Sequence, residues 1–227
     1  MKLQTAAILW VVVLTGVGYA ADDLTLSTQK DKVSYIIGAQ LGNNIKRQSI
    51  EVDADIVARG LKDALSGKKS PLTDQQVSEV MTASMREIMD RRKLEGEKNK
   101  KEGEAFLAEN KKRAGVTVLP DGLQYKVIKE GTGTSPKSTD TVIVNYRGAF
   151  IDGTDFDSSY KRGQPATFPL SGAMRGWVEA LQLMKTGSKW ELFIPPELGY
   201  GEQGSGAVGP NMTLVFDVEL LSVNEGK

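Results

Sequence analysis

Five aromatic side chains, Tyr146, Phe156, Trp177, Tyr200 and Phe216, fall in four blocks of the C-terminal half: YRGAFIDGTDFDSS (146–159), GWVEAL (176–181), IPPELGYGEQG (194–204) and LVFDVELL (214–221). Asp157 is the one carboxylate beside them. Such a set reads as the wall of one apolar pocket with a polar rim. The chain has no His and no Cys, which removes Ser-His and Cys-His nucleophilic chemistry, thiol redox chemistry and the usual zinc ligand sets. Catalysis is left to carboxylates, Lys, Tyr, backbone dipoles or a dry pocket. Taken singly, each residue has a plainer reading: a strand aromatic is ordinarily core, and a lone surface aspartate makes an ion pair worth under about 1 kcal/mol. Their joint spacing carries the pocket reading. Asp152, Asp155 and Asp157 alternate like a calcium loop, but no Glu follows at the required separation and Phe156 intrudes, so the segment reads as a turn that holds no metal.

The elements that must position these residues alternate in hydrophobicity. Leu123 to Ile128, Val142 to Phe150, Lys189 to Ile194 and Leu214 to Val223 have strand patterns; the last sets Leu214, Phe216, Val218 and Leu220 on one face against Val215, Asp217, Glu219 and Leu221. Gly176 to Met184 alone among them is helical. One helix packed on a curved antiparallel sheet follows, an α+β arrangement.

Before Gly115 the period is that of helices. Val33, Ile36, Ile37, Gln40, Leu41 and Ile45 recur at three- and four-residue steps, and Ile56, Val57, Gly60, Leu61 and Leu65 do so after Asp53, a good N-cap. Gly67 ends the second helix, Pro71 enforces a break, and Thr73 caps a third. Val77, Val80, Met81, Ser84, Met85 and Ile88 stripe its start. From Arg86 to Arg113, however, 7 acidic and 10 basic residues occupy 28 positions, which predicts a solvated rod supported by i,i+4 pairs such as Glu87 with Arg91, Glu97 with Lys101 and Glu109 with Arg113. Gly96 and Gly103 leave a jointed linker as the alternative. The helical half offers too little apolar bulk for a core of its own. Self-association through Leu41, Ile45, Met81, Met85 and Met89 solves that, with ordinary core as the competing role of the methionines.

At 227 residues with 29 basic and 29 acidic side chains, the chain is long enough for two domains and carries no net charge that would draw it to nucleic acid. Lys2, the apolar run Ile8 to Val17 and Gly18-Tyr19-Ala20 read as a cleavable export signal. An uncleaved anchor is the competing reading, since Leu3 to Ala21 approaches membrane-spanning length. The absence of Cys excludes a lipoprotein anchor.

In order and over residues 118 to 224, the four blocks resemble the FKBP-type peptidyl-prolyl cis-trans isomerases. The helical half, with YIIGAQLG (35–42), resembles the dimerisation domain of Mip-like (macrophage infectivity potentiator type) bacterial members. The resemblance implies an all-α N-terminal dimerisation domain, a long connecting helix and an FKBP-like curved antiparallel sheet wrapped on a short helix. The divisions expected are a signal peptide (1–20), a helical dimerisation region (21–72), a connecting helix (73–114) and an isomerase domain (115–227).

It further implies isomerisation of X-Pro bonds in exported or periplasmic polypeptides, without cofactor, by a homodimer that macrolides inhibit. A dimeric holdase chaperone with incidental isomerase activity is the alternative. Carried over residue by residue, Trp177 forms the pocket floor, and Tyr146, Phe156 and Phe216 are walls, with Leu214 and Val215 behind them. The Met174 N–H and the Tyr200 hydroxyl donate to substrate carbonyls, and Asp157, paired with Arg162, sits at the rim. Asp157, Tyr200, Phe156 and Trp177 are the expected catalytic residues; Tyr146, Arg162, Ala173, Met174 and Phe216 complete the substrate site. Phe168 is expected to be structural. Ala173-Met174 and Ala166 stand where the family commonly has bulkier residues, which implies a wider pocket edge. Rotation about an X-Pro amide faces a barrier of about 18 to 20 kcal/mol, and its planar ground state is the more dipolar form. Moving it from water into an apolar pocket therefore favours the twisted state, and no nucleophile is needed.

Overall fold

Three side chains set the register of the helical half. The computed structural model describes residues 24–47 and 50–225, so the predicted signal segment lies outside the described residues. Asp53 accepts from the N–H groups of Asp55 and Ile56 at 2.9 and 3.1 Å and starts α2 (Ala54–Leu65), after which Gly67 takes the left-handed conformation (φ 70). Thr73 accepts from the Gln76 N–H at 3.2 Å while Gln76 accepts from the Thr73 N–H at 2.9 Å, a reciprocal cap that opens α3 (Asp74–Asn110). α1 (Gln29–Arg47) precedes them. Residues through Ile45 form one unit and Lys46 onward the other.

The second unit contains a seven-stranded antiparallel sheet in the order β1-β2-β6-β7-β3-β4, with β5 also paired to β3. Its strands are β1 (Val116–Val118), β2 (Gln124–Lys129), β3 (Thr141–Phe150), β4 (Asp155–Ser158), β5 (Ala166–Pro169), β6 (Lys189–Ile194) and β7 (Leu214–Asn224). Leu214, Phe216, Val218 and Leu220 of β7 are buried together with Leu192 and Ile194 of β6 and Val142 and Val144 of β3. α5 (Arg175–Leu183) lies on that face with Trp177, Ala180 and Leu181 inward, the i, i+3, i+4 set of an amphipathic helix. The predicted α+β class and the four strands read from alternation are present. β1, β4 and β5 are additional.

α3 departs from the solvated rod that its charges predict. It runs unbroken for 37 residues, about 55 Å at 1.5 Å per residue. Its C-terminal part packs against the sheet at Gln124 of β2 and Phe193 of β6, a second helix where one is expected. Arg92, Gly96, Asn99, Gly103, Phe106 and Asn110 recur at alternating steps of four and three, one stripe of the helix, and Arg113 follows three residues past its end. Gly96, Gly103 and Asn110 are buried. A Cβ on Gly103 would lie 2.2 Å from Thr213 Oγ1, and one on Gly96 would lie 3.3 Å from Pro210 Cβ. The glycines are therefore points of close approach to the sheet domain and not joints. Phe106 packs on Phe193 of β6 at 6.0 Å between ring centroids, and Asn110 donates to Gln124 Oε1 at 2.9 Å in a buried bond. Of the exposed pairs, Glu87–Arg91 forms at 3.2 Å. Glu109 turns instead to Lys112 at 2.7 Å, because Arg113 is engaged by Asn110 and the face of Phe193.

Candidate active site

The cleft opens where β3 loses a neighbour. β3 pairs with β5 over Thr141–Val144 and with β4 over Arg147–Ala149; between these stretches the chain leaves the sheet as the single helical turn α4 (Ser159–Arg162). The Tyr146 N–H, facing that break, donates to Ser159 Oγ at 2.9 Å, so the interruption leaves no orphan donor. The break admits a cleft of about 510 Å³ lined by Tyr146, Phe156, Asp157, Ala166, Phe168, Pro169, Gly172, Ala173, Met174, Trp177, Gly199, Tyr200 and Phe216.

Trp177 and Phe216 are nearly fully buried and meet edge to face at 5.2 Å. Tyr146 stands on Trp177 at 5.2 Å and Phe156 on Phe216 at 5.5 Å, both close to perpendicular. These are the separations and angles that aromatic quadrupoles favour, so the wall is rigid as well as apolar. Phe168, expected to be structural, also lines the cleft, with its ring 5.6 Å from Trp177. Gly148 is a position that aromatic spacing could not reveal. A Cβ there would lie 2.7 Å from Phe216 Cε1 and 2.8 Å from Phe156 Cζ, so the two rings can meet only over a residue without a side chain. Val215 does not stand behind the wall. Strict alternation along β7 puts it on the face opposite Phe216.

The polar rim is one network. The Tyr146 hydroxyl donates to Asp157 Oδ2 and the Arg162 guanidinium donates to Asp157 Oδ1; Arg162 also donates to the Tyr146 hydroxyl oxygen at 2.7 Å and lies over its ring at 5.3 Å. The Ser158 N–H adds a third bond to Asp157 at 2.8 Å. Burial pushes the Asp157 carboxyl up, but the bonds from Tyr146, Arg162 and Ser158 outweigh it and hold the group below the usual carboxylate range. Burial, followed by the bond to Asp157, raises the Tyr146 phenol, and burial raises that of Tyr200, with the Asp157 charge adding to it. At neutral pH the rim therefore carries a carboxylate, a guanidinium and two neutral phenols. Asp152 and Asp155 do not join it. Asp152 accepts from the Thr154 N–H at 2.8 Å, closing the predicted turn, and Asp155 pairs with Arg147 at 2.6 Å and Lys161 at 3.0 Å.

On the opposite lip Met174 is the N-cap of α5, its carbonyl accepting from Trp177 and Val178. Its own N–H is among the donors that a helix start leaves without an intrahelical partner. Tyr200, partly exposed, comes from the segment between β6 and β7. All the predicted site residues thus stand at one cleft. Arg162 takes part through its bonds to Asp157 and Tyr146 without itself lining it.

Comparison with known proteins agrees over both halves. A family model for the domain amino terminal to FKBP-type peptidyl-prolyl isomerase matches residues 30–127, and the model for FKBP-type peptidyl-prolyl cis-trans isomerase matches residues 132–221. The outer membrane protein MIP of Legionella longbeachae is 47% identical over 230 residues, spanning 99% of this chain and 98% of the relative. The peptidyl-prolyl cis-trans isomerase Mip of Coxiella burnetii is 44% identical over 88% of this chain and 89% of its own length. Among solved structures, FkpA from Escherichia coli superposes with a TM-score of 0.65 at 38% identity, covering 89% of this chain and all of that one. Pocket geometry, helical half and near full-length identity agree, and this chain belongs to the FKBP-type peptidyl-prolyl cis-trans isomerases, in their Mip-like form.

Proposed function

We propose that the chain isomerises X-Pro bonds of exported or periplasmic polypeptides by a non-covalent route. The observation that carries this reading is the cleft in which Tyr146, Phe156, Trp177 and Phe216 make an apolar wall beside a single, fully engaged carboxylate. The pyrrolidine ring sits on Trp177 between Tyr146, Phe156 and Phe216, where the amide loses the hydration that favours its planar, dipolar form. The Met174 N–H and the Tyr200 hydroxyl hold substrate carbonyls on either side of the rotating bond. Asp157, fixed by Tyr146 and Arg162, faces the carbonyl of the twisting amide. Its lowered pKa suits a fixed charge and makes it a weak base, consistent with a reaction that transfers no proton. Rigid donors and dipoles of this kind act without reorganising during the step. NMR exchange spectroscopy on a short X-Pro peptide tests the proposal. The protein accelerates cis-trans exchange, Trp177→Ala and Asp157→Ala lower the rate, and a macrolide competes; no acceleration at micromolar protein overturns it.

The helical half serves as a homodimerisation domain in the same proposal. α2 buries no side chain, and Ile36, Leu41, Met81, Met85 and Met89 are exposed within a single chain. The domain divisions proposed are a signal peptide over 1–20, a dimerisation region over 21–72, a connecting helix over 73–114 and an isomerase domain over 115–227. Export rests on the N-terminal pattern and accords with the outer-membrane name of the Legionella relative. Light scattering on residues 21–227 gives twice the chain mass if the helices pair and the single mass if they do not. The same exposed apolar side chains favour a second reading, a holdase for unfolded chains. Suppression of client aggregation by the Trp177→Ala protein supports it.

A further inference from the structure

We propose that the C-terminal half of α3 belongs to the substrate site, with Arg92 and Asn99 as positioning residues for Tyr200. The inference rests on the isomerase reading above. Tyr200 lies in the segment between β6 and β7, residues 195–213, longer than the roughly 12 to 15 residues beyond which a connection is ordinarily functional or loose. Two short 3₁₀ turns are its only helical structure. It is tied internally by the Asn211 N–H, which donates to the Gly201 carbonyl at 2.9 Å from a residue held at φ 52.

Leu198 and Val208 anchor it in the core, and α3 adds side-chain bonds along its second half. The Arg92 guanidinium donates to the Gln203 carbonyl at 2.8 Å, three residues beyond Tyr200. The Asn99 side-chain amide donates to the Pro210 carbonyl at 2.9 Å, and that of Asn211 donates to the Gly96 carbonyl at 3.4 Å. Arg92, Gly96 and Asn99 belong to one stripe of α3, so a single rigid element grips the segment that presents Tyr200 at its middle and near its C-terminal end. The Gly96 contact, where a Cβ would come within 3.2 Å of Asn211 Nδ2, brings helix and loop close enough for these bonds. Tyr200 reaches the cleft from this segment alone, whereas Trp177, Phe216 and Asp157 sit on α5, β7 and β4. Loosening the grip therefore weakens one substrate contact and leaves the floor and the charged rim in place.

Steady-state kinetics of peptide isomerisation by the full-length chain tests this. Arg92→Ala and Asn99→Ala each raise KM with kcat unchanged, as expected when uniform binding is lost. The change is roughly two- to twelve-fold, the range into which the net worth of one hydrogen bond translates. Arg92→Lys, which keeps a cationic donor, restores most of the affinity. In a Tyr200→Phe background neither alanine substitution has a further effect. An unchanged KM, a fall in kcat alone, or an equal loss with and without the Tyr200 hydroxyl overturns the proposal. An inactive wild-type chain overturns the isomerase reading instead, so the two failures are distinct.

Discussion

Replacing Gly103 by Ala sets two effects of opposite sign against each other. In an open helix the change stabilises by about 1 kcal/mol, because Gly loses more backbone entropy than Ala. In α3 the new methyl arrives 2.2 Å from Thr213 Oγ1 and 3.1 Å from Thr213 Cβ. Thr213 is buried and its hydroxyl has no hydrogen-bond partner, so rotating the hydroxyl away forfeits no bond, but the contact with Cβ remains. Forcing a methylene into packed structure costs about 1 to 3 kcal/mol, which exceeds the helix gain over most of its range. The expected net effect is destabilisation of the C-terminal unit by about 1 kcal/mol. Urea unfolding followed by tryptophan fluorescence measures it, since Trp177 and Trp190 both lie in that unit. In a Thr213→Ala background, which removes the hydroxyl and a methyl, Gly103→Ala becomes neutral or stabilising. Stabilisation by the full helix value in the wild-type background, or the same loss in both backgrounds, refutes the docking of α3 onto the sheet through this contact.

Gly148→Ala pushes a methyl into the rings of Phe156 and Phe216, and peptide kinetics will show kcat/KM reduced by about tenfold; undiminished activity contradicts the ring-over-glycine packing. Glu179 is hydrogen-bonded to Asp121 and partly buried, which pushes its carboxyl up from the usual 4.5 to about 7. Its folded-state value is the higher one, so its stabilisation is complete below about pH 4.5 and lost as pH rises through about 7. The melting temperature of wild type therefore carries a component that falls between about pH 4.5 and about 7, and Glu179→Gln removes it; identical pH profiles for the two proteins over that range contradict the Glu179–Asp121 hydrogen bond.

The long elements were legible because burial on one face imposes a period on the residues that make it. β7 shows this best, with Leu214, Phe216, Val218 and Leu220 all inward. The caps at Asp53 and Thr73 were equally plain, since each side chain bonds the N–H groups that its position predicts. β1, β4 and β5 hold three or four residues each, too few for a period to emerge, and the aspartates of β4 imitate a turn. The docking stripe of α3 escaped for another reason. Apart from Phe106 on Phe193, its contacts come from Arg92, Gly96, Asn99, Gly103 and Asn110, which give close approach and hydrogen bonds more than apolar area. A signal was present: in a segment with 17 charges among 28 positions, the uncharged Gly96, Asn99, Gly103, Phe106 and Asn110 recur at steps of three and four. Gly148 is similar, its importance set by rings from two other strands. Phe168 packs against the core, as expected of a strand aromatic, and also lines the cleft because β5 borders the break in the sheet.

The account depends on an apolar cleft that lowers a rotational barrier with no proton in flight. Measuring the isomerisation rate of one X-Pro peptide with wild-type protein in H₂O and in D₂O tests that directly. Acceleration over the uncatalysed rate, equal in the two solvents, is the predicted result. Catalysis that slows markedly in D₂O would mean that a proton moves in the rate-limiting step, and would contradict the role given to desolvation and to Asp157 as a fixed charge.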